Sequence, residues 1–222
     1  MTLLATRVKA LTGLILLLAL LALGILARTT RVTSYDLHLD LAVRAHRFGL
    51  ASGLFEALTA AASEVVGLGL LGAAALLLLV RRRRFDAVRL VLMAGAAWTL
   101  ALVVKHVVAR PRPPAFLALV RPDPSGSFPS GHDTTACLVV VIALFATVGL
   151  GLRLRAAVVG LAVLFAVGVG ASRVYLGDHY PTDVLGSWLV VAAAALLVWA
   201  ATDLRPVRRI PLLRAPEPLP AY

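Results

Sequence analysis

Three short polar clusters interrupt an otherwise apolar chain: Lys105-x6-Arg112-Pro113, Pro129-Ser130-Gly131-His132, and Ser172-Arg173-x5-His179-x3-Asp183. Lys105, Arg112 and Arg173 bring three formal positive charges, and a guanidinium can grip two oxygens of one phosphate. Ser130 and Gly131 fall where a helix is expected to begin. There, backbone N–H groups and the helix dipole favour an anion, and Gly lets it approach closely. A phosphoryl group in transfer spreads negative charge over its equatorial oxygens, so fixed positive groups are what that reaction needs. His132 and His179 add side chains that titrate near neutral pH. Pro181 suits the first position of a helix, which places Asp183 at the third, able to reach back toward the residue before the helix.

The elements that carry these clusters are membrane helices by composition. The chain has 222 residues, is 60% apolar and has a mean hydropathy of +0.92, well above a soluble domain's usual half or so. A soluble enzyme of ordinary composition is excluded, and so is a disordered protein, because only 15% of residues are charged. Apolar segments fall at about 10–27, 57–80, 87–108, 134–151, 156–172 and 184–202; each is long enough to cross a bilayer with modest tilt. Arg7 and Lys9 precede the first segment. Its length, and the want of a small-x-small cleavage site, make it a retained helix and not a signal peptide. None of the 12 prolines lies in residues 1–110; six fall in 111–129, five in 206–220, and the last is Pro181. Proline suits loops and first helical turns, so 109–129 reads as a structured loop and 204–222 as a tail.

The formal charge of +11, from 22 Lys and Arg against 11 Asp and Glu, would suggest nucleic acid in a soluble protein. No basic stripe with interleaved aromatics accompanies it, and the simpler reading is the positive-inside signal of a polytopic membrane protein. One side receives Arg7, Lys9, Arg81 to Arg84, Arg89, Arg153, Arg155, Arg205, Arg208, Arg209 and Arg214. The other receives Arg28, Arg31, Arg44, Arg47, Lys105, Arg110, Arg112, Arg121 and Arg173. The first, more basic side is expected to be cytoplasmic, with both termini on it. Cys137 is the only cysteine, so neither a disulfide nor a cysteine metal cluster is available.

In spacing and order the three clusters resemble the signature motifs of the type 2 phosphatidic acid phosphatase superfamily, which also includes glucose-6-phosphatase and the vanadium haloperoxidases. The resemblance runs over roughly residues 57–200. It implies that His179 is a nucleophile forming a phosphohistidine, and that His132 is the acid that protonates the departing oxygen. It also implies that Asp183 fixes the His179 tautomer, and that Lys105, Arg112, Ser130, Gly131 and Arg173 hold the phosphate. A metal site built from His132, His179, Asp178 and Asp183 is the rival arrangement. The three surrounding cations would repel a metal and already neutralise phosphate, so no metal and no other cofactor is expected.

The expected fold is an all-α bundle of six transmembrane helices, one membrane domain over 1–204 with its catalytic core at about 57–200. A basic, Pro-rich cytoplasmic tail follows at 205–222. Within 34–56, Leu37, Leu41, Ala45 and Phe48 recur at helical spacing while His38, Asp40, Arg44 and Arg47 fall largely elsewhere. This suggests an amphipathic helix on the outer leaflet that guides an anionic headgroup or caps the bundle. Asp178 reads as a solvated loop residue, or as a limit on the negative charge the pocket accepts. Asp133 reads as a helix-start acid, His38, His46 and His106 as interfacial anchors, and Arg81 to Arg84 as an inside anchor. Glu64, about a third of the way into the second span, suits pairing, a helix interface or substrate contact.

The expected activity is that of a metal-independent phosphatase or diphosphatase in the plasma membrane, acting on the extracytoplasmic side and releasing inorganic phosphate from an isoprenoid or glycerol lipid. Undecaprenyl diphosphate, phosphatidylglycerophosphate and phosphatidic acid are all permitted by the resemblance; the motifs read phosphate and not the tail, and the outward-facing site favours the first. The expected partners are a lipid phosphate and the bilayer, and no nucleic acid. A soluble-type haloperoxidase is disfavoured by six spans. A lipid-phosphate transporter or binding protein would not need His132 and His179 together.

Overall fold

The computed structural model describes residues 3–121 and 124–204, and among them every regular element is helical. The expected tail at 205–222 lies outside the described residues. Eight α-helices follow in order: α1 (Leu3–Ala27), α2 (Thr30–Ala45), α3 (Gly49–Ala61), α4 (Glu64–Val80), α5 (Arg84–Val108), α6 (Gly131–Ala146), α7 (Leu152–Tyr175) and α8 (Pro181–Thr202). A single 3-10 turn, Ala115–Leu117, lies in the loop between α5 and α6.

Four helices, α1, α5, α7 and α8, are each long and apolar enough to cross a membrane. Their exposed faces carry Leu11 and Leu18 of α1 and Leu161 and Leu164 of α7. A soluble domain would bury such residues, whereas lipid tails solvate them. The expected second span, 57–80, is not one helix. It is divided between α3 and α4, which meet at a bend of 50° and pass as a span only as a pair. The cause is local: the Ser63 side chain accepts the Val66 N–H, so Ser63 caps a new helix with Glu64 in its first turn. Glu64 therefore opens α4, at the bend between the two helices. The fourth expected span, 134–151, is replaced by the 16-residue α6, which starts at Gly131, ends at Ala146 and is apolar but shorter than the four spanning helices.

The segment 34–56 is also reorganised. It forms α2 and α3 with a break at His46–Phe48, and α2 turns an acidic face toward the bundle. Asp36 and Asp40, one turn apart on one face, are 1% exposed, whereas Leu41 is 42% exposed. Asp36 turns inward to a buried arginine, Arg110, which donates to its Oδ2 at 2.7 Å.

α1 packs along α8, α5 against α8 and α4, α6 against α7, α4 and α8, and α3 against α7. Leu90, Met93, Val104, Ala136, Ala166 and Val190 form the core between them. Small residues set the approach where the polar clusters meet. A Cβ at Gly186 would stand 2.5 Å from Phe128 Cε2, and one at Gly170 would stand 2.6 Å from Val184 Cγ1. These contacts clamp the segment before α6 onto α8, and α7 onto the start of α8.

Candidate active site

All three clusters arrive at the same end of the bundle. Lys105 lies in the last turn of α5, which Ala109 ends in a left-handed conformation with φ 44°. Arg112 follows in the loop. Ser130 caps α6 by accepting the Asp133 N–H, with Gly131 and His132 in the first turn. Arg173 is in the last turn of α7, His179 in the short connection, and Asp183 at the third position of α8. The local signals work as expected here: Asp183 Oδ2 accepts the Tyr180 N–H at 2.9 Å, closing the start of α8.

A cavity of about 710 Å³ is lined at its polar end by Lys105, Arg112, Gly131, His132, Arg173, Asp178 and His179. Leu68, Trp98, Ala101 and Leu102 line it on an apolar side, with Glu64 and His106 also on its wall. Ser130 and Asp183 are not on the wall. The Ser130 N–H donates to the Asp183 carbonyl at 3.3 Å and its hydroxyl caps the helix, so Ser130 builds the site without facing into it. Asp183 stands behind His179.

His179 is held on both sides. Arg112 Nη1 lies 3.2 Å from His179 Nε2, and Ser127 Oγ lies 3.3 Å from His179 Nδ1. Asp183 Oδ2 is 3.6 Å from Nδ1, beyond hydrogen-bond range. The Ser127 hydroxyl donates to that same Oδ2. Since Arg112 can only donate, Nε2 is the acceptor and Nδ1 carries the proton. The tautomer follows from this network: Nε2 accepts from Arg112, and the Nδ1 N–H donates to Ser127, whose hydroxyl passes the link to Asp183. Burial holds His179 below the ordinary histidine value of 6.5, against the opposing pull of Asp183. Burial, with Arg173 and His179 nearby, also pushes His132 down to about 4.

Three residues that sequence reasoning left aside or misread complete the site. Asp178 is not a solvated loop residue: it is 3% exposed. Its Oδ2 pairs with Arg112 Nη1 at 2.7 Å and with Arg173 Nη2, and lies 3.5 Å from His179 Nε2. Ser127 had no motif to announce it beyond lying three residues before the capping Ser130. Arg110 was counted only as one of the outer cations. It is 1% exposed, and it donates from Nη1 to Asp183 Oδ1 at 2.6 Å and to Thr182 Oγ1 at 2.7 Å, and from Nη2 to Asp36 Oδ2 at 2.7 Å. It is the buried cation that draws α2 in. Behind it, burial and Asp36 push Asp40 up to about 7.

The other cations divide by task. Lys105 Nζ donates to the Gly126 carbonyl at 2.8 Å, and Arg173 Nη1 to Thr59 Oγ1 at 3.2 Å. Arg47 donates to the Leu117 carbonyl at 2.7 Å, which ties the break between α2 and α3 to the 3-10 turn, while exposed Arg44 stacks over Phe116. His38, His46 and His106 each bond the carbonyl four residues back; of the three, only His106 reaches the cavity wall.

The chain is 41% identical over 110 residues to phosphatidylglycerophosphatase B of Bacillus subtilis (strain 168), covering 48% of this chain and 53% of that protein. It is 33% identical over 123 residues to undecaprenyl-diphosphatase BcrC of the same organism, covering 51% and 58%. It thus spans just over half the length of these relatives. The crystal structure of a transmembrane PAP2 type phosphatidylglycerolphosphate phosphatase from Bacillus subtilis superposes with a TM-score of 0.77 at 31% identity, covering 87% of this chain and 98% of the other. The family model of the PAP2 superfamily matches residues 86–206, more than half of the chain and all three polar clusters, and the chain belongs to that superfamily.

Proposed function

We propose that the protein is an integral-membrane lipid phosphatase that works through a phosphohistidine on His179. The observation that carries this reading is the His179 ring, whose Nε2 accepts from Arg112 at a cavity that Lys105 and Arg173 also line, while Nδ1 is backed by Ser127 and Asp183. Nε2 attacks phosphorus, and the bond from phosphorus to the leaving oxygen breaks as that oxygen takes the proton of His132. Water then attacks the phosphohistidine with His132 removing its proton, and inorganic phosphate leaves. Lys105, Arg112 and Arg173 take up the charge on the equatorial oxygens, and Asp183, through Ser127, stabilises the imidazolium as it forms.

The chemistry is proposed to need no metal. The carboxylates nearest His179 are spent on arginines, Asp178 on Arg112 and Arg173 and Asp183 on Arg110. The substrate is a phosphate or diphosphate of an isoprenoid or glycerol lipid, whose tail would lie along Leu68, Trp98 and Leu102. Undecaprenyl diphosphate is the favoured one, and phosphatidylglycerophosphate or phosphatidic acid the alternatives; proteins named for the first two are among the relatives. Six crossings result if α3 and α4 serve as one and 134–151 as another. The end opposite the site, where Lys9 and Arg89 pair with Asp203, is then cytoplasmic, with both termini.

The test is phosphate release by the purified protein against a panel of these lipids. Turnover is expected to survive EDTA and to be inhibited by vanadate, which mimics five-coordinate phosphorus. Activity lost on chelation and restored by magnesium overturns the metal-free mechanism. Binding of every lipid without turnover would make the protein a lipid-phosphate carrier.

The pH profile offers a second check. His179 must be neutral to attack, and its lowered pKa means that protonation sets in only at lower pH than for an ordinary histidine. Corrected for ionisation of the substrate's phosphate, the acid limb of kcat/KM is therefore expected below pH 6.5. His132, at about 4 in the free protein, must hold a proton to serve as the acid. The bound phosphate's negative charge raises its pKa, so the alkaline limb of kcat should stand at higher pH than that of kcat/KM. Coincident limbs would count against His132 as the acid.

A further inference from the structure

Asp178 occupies a place that phosphoryl transfer would otherwise require. Its Oδ2 receives Arg112 Nη1 at 2.7 Å and Arg173 Nη2, and lies 3.5 Å from His179 Nε2. A phosphorus atom poised for attack by Nε2 sits at about 3–3.5 Å from it, and its oxygens need the same two arginines. Carboxylate and phosphoryl group cannot both hold them. Only the carboxylate is free to leave, because the backbone is fixed. The Asp178 N–H donates to the Arg173 carbonyl at 3.1 Å, and the Asp178 carbonyl accepts Arg112 Nη1 at 3.1 Å. The preceding residue, Gly177, has φ +72° and packs so closely on the Leu117 carbonyl that a Cβ there would overlap it. The other carboxylate oxygen, Oδ1, is buried with no hydrogen-bond partner, so the group is only half satisfied where it sits and its displacement frees a costly contact.

We propose that Asp178 is a built-in competing anion: its side chain holds Arg112 and Arg173 until a phosphoryl group displaces it, and so sets which anions the site accepts. A single carboxylate charge is outcompeted by a dianionic phosphate monoester or by a diphosphate. It is not outcompeted by a monoanionic diester, so lipids bearing diester headgroups are kept out of a site that the bilayer would otherwise flood with them. Asp178 also speeds departure of product phosphate by reclaiming the arginines. The proposal rests on the phosphatase reading above and adds to it a residue that sets specificity.

The experiment is calorimetric titration of the purified full chain and its Asp178→Asn variant with inorganic phosphate and with dibutyl phosphate, a monoanionic diester, beside kinetics on phosphatidic acid. Asp178→Asn is expected to bind inorganic phosphate about tenfold tighter, the size of one charge-assisted hydrogen bond that no longer has to be broken. It should also bind dibutyl phosphate measurably where the wild type does not. KM and kcat should fall together, as product lingers. Asp178→Ala serves as the second variant should Asn fail to fold, with the same expected directions. Equal or weaker phosphate binding by both variants overturns the proposal, since a residue that only pre-positions the arginines would weaken binding when removed; wild-type turnover would then leave the phosphatase reading standing. Absence of phosphate binding and of turnover in all three proteins overturns both.

Discussion

Replacing His179 with Ala is expected to abolish phosphate release, with kcat reduced on the order of 10⁵- to 10⁶-fold, as when the nucleophile is removed from a comparable constellation. The ring is 1% exposed and is held by hydrogen bonds to Arg112 and Ser127, whereas His132, the other histidine at the polar end of the cavity, is assigned to the leaving oxygen. Rapid quenching with a ³²P-labelled short-chain phosphatidic acid reads the step directly. Label should appear on the wild-type protein, acid-labile and base-stable as a phosphohistidine is, and be absent from His179→Ala. Ser127→Ala separates nucleophilic attack from tautomer control. It removes the hydroxyl between Nδ1 and Asp183 while leaving Nε2 in place, so a loss of about 10- to 100-fold is expected, with labelling retained but slowed. If His179→Ala keeps most of the wild-type rate or still takes up label, the nucleophile lies elsewhere.

Arg110→Met is expected to cost about 3–5 kcal/mol of stability, the usual result of removing one partner from a buried ion pair. Arg110 neutralises Asp36 and Asp183 at once, both nearly inaccessible to water, and its loss strands two carboxylates in the interior. The arginine also spans three elements, α2, the loop after α5 and the start of α8. Thermal unfolding in detergent checks the stability. A purely structural role would change nothing else in the protein that remains folded. Here a further change is expected: with Asp183 less neutralised, the imidazolium of His179 is favoured, its pKa rises, and the acid limb of kcat/KM moves to higher pH. Asp36→Asn provides the contrast, because Arg110 keeps Asp183; a smaller loss of stability and an unmoved acid limb are expected. An acid limb in Arg110→Met that coincides with the wild type would show that Arg110 does not act through His179.

The membrane helices and the polar clusters were legible because both are written locally. Twenty or so apolar residues suffice to mark a span, and a helix start such as Pro181 to Asp183 carries its own capping signal. Ser63-Glu64, which divides the expected second span into α3 and α4, was an equally local capping signal inside a run apolar enough to hide it. The inward face of α2 had no such mark. Apolar periodicity shows that a helix has two faces, but that Asp36 on one of them meets a buried arginine 74 residues away is not written in the helix.

The sequence by itself determined the family of the site: Lys105, Arg112, Gly131, His132, Arg173 and His179, identified by type and spacing, line one cavity. Tertiary structure alone decided how the charges are shared. Arg110 and Arg112 are the same residue type two positions apart in one loop, yet Arg110 serves Asp183 and Asp36 while Arg112 serves His179 and Asp178. The physical reason is desolvation. Out of water a charge is tolerated only beside its counter-charge, and the carboxylates that Arg110 and Arg112 meet come from helices and loops 66 to 74 residues away in the chain, brought there by packing and by nothing in the local sequence.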